Sequence, residues 1–283
     1  MSGILVVYKE AGMTSRDVVD KVGHFLHTKK VGHTGTLDPM ATGILILCVG
    51  KATKIVELLT ATEKEYIAEI TLGIETNTLD STGIILKQEK VSISKQQIEA
   101  VLKSMVGEYL QEVPLYSAVH VDGKKLYEYA RNKEEVKLPS RKVSIYSLEL
   151  LQYSGNKFTI KTKVSKGTYI RSLVRDIAKK MNTVGIMSKL ERVKQGSFEL
   201  KDCVTLEDIE NNEYHFLSIK EALKNYPHFE VDEELKLKIK NGQILKNEFG
   251  NSIILFLDQD QVPLALYHTY EKDKTYLKPW KMF

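Results

Sequence analysis

The feature that most limits how this chain can fold is a run of six apolar residues, Ile44-Leu45-Ile46-Leu47-Cys48-Val49. It has the length of a strand and is bounded by Gly43 and Gly50. With no polar alternation, it reads as a strand buried on both faces, so other layers must pack on either side of it. The loop that feeds it holds Gly32, Gly35 and Gly43 around a Leu37-Asp38-Pro39 step. One carboxylate therefore sits in a glycine-punctuated loop next to a core strand. Loops held by rigid elements are where reactive groups usually sit. Asp before Pro is equally a common turn initiator, so a structural turn and a reactive site both fit. Gly50-Lys51 invites a phosphate-loop reading, but the spacing refuses it. Six residues separate Gly43 from Gly50 where that motif has four, and Ala52 stands where Ser or Thr is required.

The rest of the composition narrows the class. At 283 residues, with 42% hydrophobic and 28% charged, the chain has room for one large domain or a large and a small one. A net charge of +4 is compatible with a nucleic-acid partner without demonstrating one. Cys48 and Cys203 lie far apart and make neither a disulfide framework nor a zinc knuckle, which favours a reducing compartment. The N-terminus is no signal peptide, and no apolar stretch approaches the roughly 20 residues that span a bilayer. The expectation is a soluble cytoplasmic protein with no membrane contact.

Along the chain, Gly3–Tyr8 reads as a strand. Ser15 can cap a helix with Val18, Val19, Val22, Phe25 and Leu26 at helical spacing. His24 and His27 sit three apart on it; without a third ligand nearby, solvated histidines fit better than a metal site. Thr53–Leu59 reads as a short helix. Glu65–Leu72 alternates, with Tyr66, Ala68, Ile70 and Leu72 on one face of a half-buried strand. Gly73–Gly83 is a polar loop. Ser94 and Gln97 form a capping box before a helix that buries Ile98, Val101, Leu102 and Met105. Pro114–Arg141 interleaves Tyr116, Tyr127, Tyr129 and His120 with Lys124, Lys125, Arg131, Lys133, Lys137 and Arg141. That mixture suits a nucleic-acid surface, since rings stack bases and cations meet phosphate, and it also suits an exposed charged insertion. Lys142–Leu151 and Lys157–Val164 form a hairpin around Ser154-Gly155-Asn156. The next helix buries Ile170, Leu173, Val174, Ile177, Ala178 and Met181, and puts Arg171 and Arg175 on a side face. Lys189–Phe198 is strand-like. Beyond Asn225-Tyr226-Pro227, a short helix capped by Asp232 precedes strands at Ile253–Leu257, Pro263–His268 and Thr275–Leu277. A β-rich unit this small should dock on the remainder. Strands and helices intermix without regular alternation, which makes the fold class α+β with a mixed, mostly antiparallel sheet and flanking helices.

Five segments, taken together, resemble the bacterial TruB-type tRNA pseudouridine synthases. They are GHTGTLDPMATG around Asp38, KEYIAEITLG around Tyr66, VPLYSAVHVDGKKLYEYAR ending at Arg131, KGTYIRSLVRDI around Tyr169 and Arg171, and LERVKQGSF from Leu190. They keep the family's order and spacing over nearly all of residues 1–200. The last 60 or so residues are a weaker match to its small PUA-like RNA-binding domain. The resemblance implies a catalytic domain over residues 1–225, with an RNA-binding insertion at about 114–141, and a PUA-like domain over 226–283. It implies isomerisation of uridine-55 in the tRNA T-loop to pseudouridine, a reaction that needs no metal or redox cofactor. By the same resemblance Asp38 is the essential carboxylate and Arg171 its partner. Tyr66 stacks on the uracil and accepts the proton of carbon 5. Tyr169 and Leu190 line the pocket, Lys9 lies near it, and His33 meets the RNA where the nucleotide flips out. The implied partner is tRNA, through T-loop and acceptor stem, bound by a monomer.

The chain departs from the family pattern at several places. Glu10 follows Lys9 where proline is usual, and Val113 replaces the first of two prolines. Asn77 replaces an aspartate, His120 a lysine, Ile46 a frequent proline and Glu191 an arginine. These bear on RNA affinity and pocket electrostatics more than on the reaction class. Two alternatives stand beside the enzyme: a tRNA-binding or remodelling protein without chemistry, and a subunit dependent on guide RNA.

Overall fold

The computed structural model describes residues 2–283. The apolar run becomes the Thr42–Val49 strand, and every residue from Ile44 to Val49 is at most 1% exposed. Leu45, Leu47 and Val49 pack with Leu5 and Val7 against Val18, Val19 and Val22 of the Ser15–Phe25 helix. Ile44, Ile46 and Cys48 point the other way, into a cluster with Ile55, Leu58 and, from the far end of the chain, Leu255, Leu257 and Leu266. Each fully buried aliphatic side chain contributes about 1.5–3 kcal/mol. The strand is thus held from both faces, as its composition requires, and the C-terminal β-rich segment docks on it directly.

The main sheet runs in the order Gly3–Lys9, Thr42–Val49, Gly185–Gln195, Lys64–Leu72, Lys157–Val164, Ser140–Ser154, Gly107–Glu112. Val31–His33 adds to the Thr42–Val49 strand and Phe198–Glu199 to the Gly185–Gln195 strand. All pairings are antiparallel except a short parallel one, Glu191 with Thr42 and Arg192 with Gly43. The alternation read in Glu65–Leu72 holds in the Lys64–Leu72 strand: Tyr66, Ala68, Ile70 and Leu72 face one core. Helices Lys95–Ser104 and Ile170–Lys180 cover that face. No helix is long and apolar enough to cross a membrane among the described residues.

Several local details differ from the sequence reading. Thr14, not Ser15, caps the first helix, exchanging hydrogen bonds with Asp17 in a capping box. Ser15 instead bonds both backbone groups of Leu37, which ties the helix start to the Asp38 loop. The helix ends at Phe25, and His27 lies outside it with φ 50°, so His24 and His27 do not share a helical face. The polar loop after Gly73 contains a strand, Ile74–Thr76, paired with Ile85–Gln88. Arg171 is buried and not on a solvated side face. The last strand runs Tyr276–Met282, longer than expected.

Residues 114–141 fold into a small lobe. His120–Val121 pairs with Lys124–Lys125 ahead of a helix, Leu126–Asn132. Its bases lie over its own rings: Lys124 on Tyr129, Lys125 and Arg131 on Tyr127. The C-terminal sheet is five-stranded, in the order His228–Glu230, Ile253–Leu257, Pro263–Thr269, Tyr276–Met282, Leu245–Lys246.

Candidate active site

Asp38 occupies a loop in which the carbonyls of Thr34, Gly35, Leu37, Asp38 and Pro39 all accept hydrogen bonds. Gln195 Nε2 donates to the Thr34 carbonyl at 3.3 Å and to its hydroxyl at 2.7 Å. Arg192 Nη2 donates to the Gly35 carbonyl at 3.0 Å and Ser15 Oγ to that of Leu37 at 3.2 Å. The Pro39 carbonyl accepts from Lys9 Nζ at 3.2 Å and from the Gly12 N–H at 2.8 Å. The Ala41 N–H closes the turn onto the Asp38 carbonyl. Asp38 is therefore a turn residue, and the turn presents its side chain outward, about a third exposed at 32%.

Arg171 reaches this carboxylate from the first turn of the Ile170–Lys180 helix, 133 residues away in sequence. Its Nη2 donates to Asp38 Oδ1 at 2.9 Å. Nε stands equally close to Oδ2, at 2.9 Å, but is misaligned, so that N–H has no hydrogen-bond partner. Nη1 donates to the Thr78 carbonyl and Nη2 also to that of Tyr116, each at 3.0 Å. The guanidinium, only 6% exposed, thus joins the Asp38 loop, the loop after Thr76 and the root of the 114–141 lobe. A planar fork suits this bridging where a lysine would not.

Asp80, which the sequence reading passed over, stands 3.8 Å from Arg171 Nε and is buried. Its Oδ1 accepts from the hydroxyls of Thr78 and Thr82 and from the Thr82 N–H. These bonds tie Oδ1 into its own turn and fix the carboxylate with Oδ2 toward Arg171. The only sequence signal was a Thr-rich Asx-type turn, which is common in any loop.

Tyr66 and Leu190 belong to the buried cluster that also takes in Leu37 and Ala41 of the Asp38 loop. The Tyr66 hydroxyl makes no hydrogen bond to the described residues. Tyr169 is the residue before the Arg171 helix; Gln111 bonds both its N–H and its carbonyl, and Arg141 covers its ring at 5.2 Å. Lys9 is fully buried behind the loop. Burial pulls its ammonium down to about 8, against the opposing attraction of Asp38.

His33 ends the short strand before the loop, and its Nδ1 accepts the Gly35 N–H at 3.3 Å. Burial first, then the charges of Arg192 and Arg16, push the imidazole below its ordinary 6.5. The accepting Nδ1 must be unprotonated, so the loop geometry and the depressed value agree. A depressed histidine contributes stability above its unfolded value and loses it as pH falls through the folded one. In the free protein, the His33 ring should titrate below 6.5 by NMR, with the Gly35 amide signal moving in step. A midpoint at or above 6.5 would contradict this account.

Two of the departures from the family pattern find partners for their side chains. Asn77 donates to the Tyr116 hydroxyl at 2.9 Å and accepts from the Ile84 N–H. Glu191 takes a hydrogen bond from the Tyr8 hydroxyl at 2.9 Å. The Glu10 carbonyl accepts from Lys9 Nζ at 2.8 Å. Val113 is fully buried. His120 remains exposed on the lobe.

Known proteins resemble this chain over its whole length. The family model for TruB family pseudouridylate synthases, N-terminal domain, matches residues 23–170, and that for the tRNA pseudouridylate synthase B C-terminal domain matches 171–226. A tRNA pseudouridine synthase B of Bacillus cytotoxicus is 43% identical, over all of this chain and 97% of the relative. One of Geobacillus thermodenitrificans is 41% identical over the full length of both. Among solved structures, a chain from a Cbf5–Nop10–Gar1 complex aligns over 99% of this chain and 84% of its own, with TM-score 0.77 and 23% identity. A chain from an H/ACA RNP bound to a substrate RNA containing 2′-deoxyuridine aligns over the same shares, with TM-score 0.75 and 22% identity. These two share the fold.

Proposed function

The chain belongs to the TruB family of pseudouridylate synthases, and from that premise we propose that it converts uridine-55 in the T-loop of tRNA to pseudouridine, with Asp38 as the essential carboxylate. The observation that carries this reading is the Asp38–Arg171 pair, in which the arginine is sealed and the carboxylate faces outward. A sealed cation orients the carboxylate and the open side leaves it free to meet a substrate. The reaction breaks the bond between the sugar and uracil N1 and forms one from the sugar to carbon 5. Carbon 5 loses a proton and N1 gains one, so atoms and electrons balance without a redox partner or metal.

In this reading Tyr66 stacks on the extruded uracil, and its phenol oxygen takes the proton of carbon 5 as it passes its own proton on toward N1. Tyr169 and Leu190 shape the pocket, and Lys9 braces the Asp38–Pro39 turn. Extruding a base costs a few kcal/mol of lost stacking. His33, on the rim of the same loop, offsets part of that by filling the vacancy. We read the 114–141 lobe as closing over the T-loop, and residues 226–283 as a separate RNA-binding unit that contacts the acceptor stem. The relatives named tRNA pseudouridine synthase B match over full length, which favours a free-standing tRNA enzyme over a guide-dependent subunit.

The test is release of tritium from carbon 5 of labelled uridine in a T-loop transcript, using the purified protein alone. Release approaching one equivalent per transcript is the expected result. Tight binding without release would leave an RNA-binding protein, and release only on addition of guide RNA would leave the other alternative.

A further inference from the structure

The mechanism above leaves the deeply buried charge of Arg192 without a task. Arg192 is 1% exposed and makes no ion pair with the described residues. Its cost falls on its neighbours too. Lys64, also buried, is pulled down to about 8, chiefly by burial and then by Arg192. A neutral residue would fill this place in the sheet with far less desolvation.

What Arg192 does touch is specific. Nε donates to the Ile44 carbonyl at 2.7 Å and Nη2 to the Gly35 carbonyl at 3.0 Å. Those carbonyls stand at the two ends of the loop that carries Asp38. The Arg192 backbone lies between Gly43 on one side and Tyr66 on the other. Contact with Gly43 is so close that a Cβ there would come within 2.3 Å of the Arg192 carbonyl, and Gly43 has φ 100°. Of the other side chains that hold the loop, Gln195 grips its start at Thr34, and Ser15 and Lys9 its middle at Leu37 and Pro39, so only Arg192 spans both ends.

We propose that Arg192 is a positioning residue that clamps both ends of the Asp38 loop onto the strand pairing with Tyr66, and so fixes the spacing between the carboxylate and the stacking tyrosine. The proposal rests on the roles given above to Asp38 and Tyr66. The charge has a purpose in this arrangement. Charge-assisted bonds are roughly twice as strong as neutral ones, and a guanidinium holds two carbonyls in a fixed fork.

The test compares Arg192→Met and Arg192→Lys with wild type in single-turnover reactions at saturating enzyme, alongside Kd for the same tRNA transcript and the melting temperature. Arg192→Met should lower the saturated rate constant about 100-fold, the scale of a misplacement of about 1 Å, with Kd unchanged. Arg192→Lys should recover part of that rate. A wild-type rate constant in folded Arg192→Met overturns the proposal, and so does a loss confined to Kd, which would make Arg192 an RNA-binding cation. If Arg192→Met does not fold, the lysine variant decides: a lower rate constant at unchanged Kd and melting temperature supports the clamp, and a wild-type rate constant overturns it. Failure of the wild-type protein to form pseudouridine would instead overturn the reading of its function.

Discussion

Replacing Asp38 by asparagine is expected to abolish pseudouridine formation while leaving tRNA binding intact. Asparagine keeps the shape of the side chain and the acceptor that Arg171 Nη2 uses at 2.9 Å. It removes the charge and the nucleophilic or electrostatic role with it. Loss of an essential catalytic group costs at least about four orders of magnitude in rate, so tritium release should fall to background. Folding should change little. Asp38 is a third exposed, and an ion pair of that exposure is worth about 1 kcal/mol or less. Arg171 also retains the carbonyls of Thr78 and Tyr116 and the nearby Asp80 carboxylate. The decisive measurement is the ratio of tritium release to binding. Measurable turnover in a well-bound Asp38→Asn complex would remove Asp38 from the chemistry altogether.

The parts of this fold that the sequence made readable are those with a local signature. The apolar run from Ile44 to Val49 required two covering layers and has them. The alternation in Glu65–Leu72 sets the face of Tyr66. The Ser94–Gln97 box placed a helix start to the residue. Where two adjacent residues compete for one cap, pattern is silent. Thr14 takes the cap because Ser15 is needed by the Leu37 backbone, 22 positions away. The site follows the same rule. Asp38 stood out by its loop, but nothing in the periodicity around Arg171 distinguished it from Arg175, and only the family resemblance paired it with Asp38. Asp80, Gln195 and Arg192 escaped notice. Each acts through hydrogen bonds to a distant backbone or through a turn of ordinary composition, and such bonds leave no period in the sequence. Arg192 falls in a stretch that reads only as strand-like. Its burial depends on Gly43 having no side chain, a condition 149 residues away in the chain.

Arg171 is the residue whose loss should damage both the fold and the reaction, and two substitutions separate the effects. Arg171→Met removes the hydrogen bonds to Asp38, Thr78 and Tyr116 together, so three segments lose their common tie. It also leaves Asp80, buried, without the cation 3.8 Å away. Breaking a buried pair by removing one partner costs about 3–5 kcal/mol. At 2–4 °C per kcal/mol, the melting temperature should drop by roughly 10 °C. Activity should fall as far as in Asp38→Asn, because the carboxylate is still present but no longer oriented. Arg171→Lys keeps the charge beside both carboxylates yet cannot span two carbonyls and a carboxylate at once. Most of the stability should return, and the saturated rate should stay about 100-fold below wild type. Melting curves and single-turnover rates on the same preparations read the two effects independently. An Arg171→Lys protein with a wild-type rate would mean that charge alone suffices, and that the three-way tie serves the fold and not the chemistry.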